Sequence, residues 1–145
     1  MLIQLLIGTM LIALTVILQA SFFYLAELGL DKFGRRADNQ PRHIKSAFFV
    51  TAATLWIMLA HSISVWLWAF AFLQIEVFTE LEPALYFSVV SLTTLGFGDV
   101  LLPTEWRLLS GLCAANGLLI FGLSTAFLVE FLRGLGQVNG KASKP

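Results

Sequence analysis

Two glycines one residue apart, Gly96 and Gly98, lie between a threonine and an aspartate in Thr94-Leu95-Gly96-Phe97-Gly98-Asp99. The chemistry open to such a run is that of its backbone. Successive carbonyls of an ordinary strand alternate in direction. If every second residue takes left-handed dihedrals the carbonyls turn to one side, and glycine enters that region almost without steric penalty. A row of neutral oxygens facing one way can replace the water shell of a bare alkali cation, stacked so that the ion moves from cage to cage. The Thr94 hydroxyl offers a further ligand below the carbonyls. Four copies around an axis close each cage, so this chemistry requires a tetramer. Other chemistries find no support. His43, His61 and Cys113 lie far apart, with no metal-ligand cluster and no nucleophile–base pair. Neither an enzymatic activity nor a cofactor is expected.

Something must hold that backbone in place. Glu80, Glu82 and Pro83 mark a helix start, since acidic residues suit the positive end of a helix and proline is tolerated in its first turn. From Ala84 to about Thr93 the chain is apolar. Such a helix reaches only ~15 Å, half of a hydrocarbon core of ~30 Å. It must end in mid-membrane and return. The returning backbone cannot face lipid, where each unpaired peptide group costs several kcal/mol, so it has to line a water-filled or ion-filled cavity.

Composition agrees with a membrane setting: 58% of the 145 residues are hydrophobic and 12% charged. Three apolar stretches are long enough to cross, residues 1 to about 24, about 47 to 73 and about 106 to 132. The first lacks the basic start and short apolar core of a secretory signal and is expected to remain as a helix. Lys32, Arg35, Arg36, Arg42 and Lys45 fill the first connection, and Arg133, Lys141 and Lys144 the C-terminal end. The second connection is acidic, with Glu76, Glu80, Glu82, Asp99 and Glu105 against Arg107. Basic short loops stay inside. The expected topology is a multi-pass protein of the cell membrane, plasma or inner, with its N-terminus outside and its C-terminus cytoplasmic. The basic loop also suits anionic lipid headgroups. A formal net charge of zero gives no reason to expect a nucleic-acid partner.

The run Thr94–Asp99 resembles the T-x-G-[YF]-G-D filter of the tetrameric potassium channels, which have an outer helix, pore helix, filter and inner helix. The likeness extends through Ala84-Leu85-Tyr86-Phe87-Ser88 before the filter, and Pro103, Trp106 and Phe121-Gly122-Leu123 after it. It implies an all-α membrane protein of three transmembrane helices plus a re-entrant pore helix and filter, assembled as a homotetramer. The organisation implied is an extra helix at 1–26, a basic cytoplasmic loop at 27–46, a pore domain at 47–133 and a flexible cytoplasmic tail at 134–145. Within the pore domain the outer helix would span 47–73, the pore helix 83–93, the filter 94–99 and the inner helix 105–133. Potassium ions would be permeant ligands of Thr94, Leu95, Gly96, Phe97 and Gly98, with carbonyls from the first four. Asp99 would draw cations to the outer mouth, and Gly117 would match the family's hinge. Helical spacing puts Leu118, Phe121, Thr125 and Val129 on one face, which by the resemblance lines the cavity and inner gate.

Several features lie outside that pattern. Gln4, Gly8, Thr15 and Gln19 fall within ~60° of one another on the first helix, and Thr54 and His61 share a face of the second. Packing of these two stripes on each other is one expectation, and a pH-sensing His61 the alternative. Asn116, deep in the third span, requires a polar partner, either another helix or the cavity. No helix carries arginines at every third position, so no voltage sensor of the usual kind is expected. Rival functions are a channel passing sodium as well as potassium, and a non-conducting subunit that modifies a larger channel. Phe97 replaces the frequent filter tyrosine, and Val90 stands where some relatives carry a carboxylate. With fewer hydrogen bonds behind it, the filter is predicted to collapse at low potassium. Recordings from reconstituted protein check this, and steady currents in millimolar potassium contradict it.

Overall fold

The computed structural model describes the backbone of residues 1–34 and 42–141 and the side chains of residues 1–29 and 47–134. The described residues form four α-helices: α1 (Leu2–Gly34), α2 (Arg42–Gln74), α3 (Leu81–Leu92) and α4 (Arg107–Lys141). A 3-10 turn at Thr104–Trp106 leads into α4. No strand occurs among the described residues. The stretches Leu2–Gly29, Ala47–Gln74 and Thr104–Gly134 are long and apolar enough to cross a membrane, and the 12 residues of α3 are not. The architecture is therefore all-α, three crossing helices and one short one.

Helix ends differ from the expected boundaries. Helix α1 continues to Gly34 and α2 begins at Arg42, so both enter the segment that charge alone reads as loop. Helix α4 runs on to Lys141 through residues expected as a flexible tail. A helix already formed gains one backbone bond per added residue, so it outlasts the apolar stretch that starts it. The short helix starts at Leu81, two residues before the expected 83. The side chains of Lys32, Arg35, Arg36, Arg42, Lys45, Lys141 and Lys144 lie outside the described residues.

Helix α2 stops in a defined way. The Glu76 amide donates to the Leu73 carbonyl and the Val77 amide to the Phe72 carbonyl, each at 3.0 Å, with Glu76 in the left-handed region at φ 56°. This is the paired arrangement with which helices commonly finish, built on a glutamate where glycine is usual. The turn delivers Phe78 to the C-terminal end of α2 and the N-terminal half of α3. There Phe72, Phe78 and Phe87 form a triangle with ring centroids 5.3–6.1 Å apart, and Trp68 adds a fourth ring 5.7 Å from Phe72. Trp68 and Phe72 are fully buried. The aromatic cluster fixes where α3 sits.

The polar stripe of α1 meets α4, which corrects the expected packing on α2. The Asn116 amide donates to the Thr15 hydroxyl at 2.8 Å, and the Gln19 amide to the Ser124 hydroxyl at 2.9 Å. The Gln4 side-chain amide donates to the Glu105 carbonyl. A methyl at Gly8 would overlap Leu112, so the helices cross closely there. On α2, Thr54 instead bonds back to the Val50 carbonyl and His61 Nδ1 to the Ile57 carbonyl, both within their own helix. Paired side chains on a neighbouring helix satisfy the polar stripe better than separate groups already bonded to their own turns.

Gly117 faces the end of α3. A methyl there would overlap the Leu92 carbonyl, and α4 passes through this point as unbroken helix. The obstacle is backbone, which cannot rotate away as a side chain can. Gly117→Ala is expected to cost about 1–3 kcal/mol, the usual range for overpacking. Thermal unfolding in detergent measures it, and a midpoint equal to that of the parent protein contradicts the close approach.

Candidate functional site

The loop after α3 begins by folding back on the helix. Helix C-termini leave carbonyls without intrahelical donors. Here the Thr93 amide reaches the Val89 carbonyl at 2.9 Å, and the Thr94 amide the Ser91 carbonyl at 3.0 Å. The amides of Leu95 and Gly96 share the Val90 carbonyl at 3.0 and 3.3 Å. Three consecutive loop amides are thus turned toward α3. Among the described residues, the carbonyls of Thr94, Leu95, Gly96 and Phe97 accept no hydrogen bond.

The dihedrals explain how the chain leaves the helix. Thr94, Gly96 and Gly98 have φ of 59°, 56° and 78°, so left-handed residues recur at every second position. The two glycines occupy that region freely. Thr94 does not, and a left-handed L-residue carries a penalty of about 1–2 kcal/mol. Its neighbours offset this through the three amide bonds to α3. A methyl at Gly96 or Gly98 would meet open space, so dihedral freedom rather than crowding demands glycine here. Residues 94–99 are all exposed in the single chain, Leu95 at 58% and Phe97 at 66%. The Phe97 ring is therefore mostly uncovered by its own chain.

The Asp99 end of the loop has a fastening not foreseen from Phe97 and Val90. The Tyr86 hydroxyl on α3 donates to Asp99 Oδ2 at 2.5 Å, and the Val100 amide donates to Asp99 Oδ1 at 3.1 Å. The first is a short bond to a charged acceptor, among the stronger kinds. It closes the loop at both ends against one helix: backbone amides at the inner end, a tyrosine at the outer. Tyr86 stands two turns from the inner end of α3, and the only sequence clue to the contact is that the short helix and the loop must run back alongside each other. The bond holds the Asp99 carboxyl below its ordinary range, since the hydroxyl favours the ionised form.

On α4, Leu118, Thr125 and Val129 lie on an exposed face together with Gly111, Ala115 and Gly122. Phe121 is displaced from it. Its ring is partly buried and stacks on His61 of α2, with centroids 4.4 Å apart. His61 is buried, and its Nε2 has no hydrogen-bond partner among the described residues. Asn116 is fully enclosed against α1, away from the exposed face. Glu130 and Arg133 pair at 3.6 Å with both side chains about 70% exposed, a geometry that contributes little. Among the described residues no group of histidine, cysteine or carboxylate side chains could hold a metal ion.

Comparison with known proteins places these residues in context. The family model described as an ion channel matches residues 53–134, from α2 into the C-terminal half of α4. Over 68 residues the chain is 29% identical to the potassium voltage-gated channel protein Shal of Drosophila melanogaster. That match takes in 46% of this chain and 12% of Shal, so the chain spans a small part of that relative. No solved structure matches the chain significantly.

The Tyr86–Asp99 bond has a definite pH signature. A carboxyl held low contributes its stabilisation above the ordinary carboxylate range and loses it as pH falls through the lowered value. Tyr86→Phe is expected to return the Asp99 titration upward, toward that of an ordinary aspartate. The carbon-13 shift of the Asp99 carboxyl, followed against pH, measures this; identical titrations in both proteins contradict the bond.

Proposed function

The chain belongs to the ion channel family, and from that membership we propose that it is one subunit of a homotetramer conducting potassium passively across the cell membrane. The observation that carries this reading is the backbone of residues 94–98. Left-handed residues at every second position turn successive carbonyls to one side, and the bonds from the amides to α3 leave those carbonyls without donors. Hydrocarbon cannot satisfy four adjacent bare carbonyls. A dehydrated cation can. Four segments around an axis would ligate it through Thr94, Leu95, Gly96 and Phe97, with the Thr94 hydroxyl beneath and Asp99 at the outer mouth. The C-terminal end of α3, near Leu92 and Thr93, directs its partial negative charge to the same place.

Assembly is supported by what the single chain leaves uncovered. Leu118 is 69% and Val129 46% exposed on a crossing helix, and the spacing 111, 115, 118, 122, 125, 129 is that of a seam between helices. The small residues Gly111, Ala115 and Gly122 permit close approach of another copy. Potassium rather than sodium is supported by an intact set of glycines and by the potassium channel named among the relatives. The charge pattern supports an external N-terminus and a cytoplasmic C-terminus, with the basic first connection against anionic lipid.

Purified protein in liposomes tests the proposal. A potassium gradient is expected to drive flux, with a reversal potential close to that of potassium when sodium is opposed to it. Gly96→Ala, which places a side chain in the left-handed region, is expected to abolish the flux while leaving the oligomer intact. Equal permeation by sodium would identify a non-selective channel, and a tetramer without flux a modulatory subunit.

A further inference from the structure

The first helix lies outside the residues matched by the family model, yet it holds α4 at several depths. Asn116 precedes Gly117 by one residue and bonds Thr15. Ser124 follows Gly117 by seven residues and bonds Gln19. Beyond it, Phe23 stacks on Phe127 at 4.3 Å with the rings 3° from parallel. Thr15, Gln19 and Phe23 are successive turns of one uninterrupted helix of 33 residues. The partners therefore fall on both sides of Gly117, one of the glycines at which α4 resists bending least. The same helix is fixed to α2 by the indole of Trp56, which donates to the Phe22 carbonyl at 2.9 Å.

We propose that α1 is a splint on the inner helix. It ties the segments before and after Gly117 to one straight rod, so that α4 cannot bend there until the Gln19–Ser124 bond and the Phe23–Phe127 stack are broken. Gln19 is fully buried, and separating it from Ser124 leaves a buried amide without that partner, which is costly. The inner end of α4 is thus released from α1 as a unit rather than residue by residue. Movement of α1, by whatever stimulus, becomes a means of controlling the cavity side of the pore. The control function rests on the channel reading above; the splint itself does not.

The experiment separates the two. One subunit carrying spin labels at Tyr24 and Val129, both exposed, in a Cys113→Ala background, is diluted into unlabelled protein, and the distance between the labels is measured in liposomes. In the parent protein a short distance is expected to predominate, with a minor longer population. Gln19→Leu with Phe23→Ala is expected to add a longer population at least about threefold greater than in the parent, the change that one membrane hydrogen bond supplies. Thr15→Val, on the other side of Gly117, is expected to leave that distance unchanged. Equal distributions in the parent and the double variant, both shown to be folded by circular dichroism, would overturn the splint. A parent protein with no potassium flux would overturn the channel reading and leave the distance result to stand by itself. Where flux is present, its open probability is expected to change in the double variant and its selectivity to stay the same; an unaltered open probability would overturn the control function.

Discussion

A helix that enters an apolar layer and stops halfway must dispose of its last carbonyls and of every peptide group that follows. On the channel reading α3 ends inside that layer at Leu92, and each unpaired group there would cost several kcal/mol. The protein meets half of this demand internally. The amides of residues 93–96 return to the carbonyls of Val89, Val90 and Ser91, and the chain takes left-handed dihedrals at Thr94, Gly96 and Gly98. The other half is left open as a row of bare oxygens. Ion ligation on this account grows out of a backbone problem: once the amides are turned to the helix, the carbonyls have to find something else.

The remaining elements hold α3 so that this solution persists. At its outer end the ring cluster of Phe72, Phe78 and Phe87 seats the helix against α2, and Tyr86 secures Asp99. At its inner end Gly117 admits the Leu92 backbone against α4. Helix α4 is held in turn by α1 through Thr15 and Gln19. Contacts run without a gap from the first helix through Asn116 and Gly117 to the residue two before Thr94. A chain whose crossing helices leave much of their apolar surface uncovered is organised internally by a small number of polar pairs and two close glycines.

Much of this was legible in the sequence for reasons that are physical. Crossing helices announce themselves by length and by absence of charge. The short helix stands out because Ala84–Thr93 is apolar and cannot reach across, and Gly96 and Gly98 because their spacing serves only a backbone that alternates. Less was legible where partner identity matters. The polar stripe Gln4, Gly8, Thr15, Gln19 declares that α1 has a neighbour, but periodicity carries no information on which of two antiparallel or parallel helices it meets. Asn116 likewise requires a partner without naming Thr15. Phe121 shares a helical face with Leu118 by spacing alone, whereas the stacking of its ring on His61 draws it toward α2. The Tyr86–Asp99 bond depends on how steeply the loop returns, a three-dimensional quantity. Helix ends were the least legible of all, since propagation carries α1 and α4 beyond their apolar stretches.

Crystals of the assembled protein grown in rubidium or thallium salts give the most direct measurement of the central claim, because either ion replaces potassium and scatters anomalously. A column of anomalous peaks is expected on a four-fold axis, at the level of residues 94–97, with the peptide oxygens of four chains around each. Absence of such peaks, or an assembly in which those residues lie away from any common axis, would contradict it.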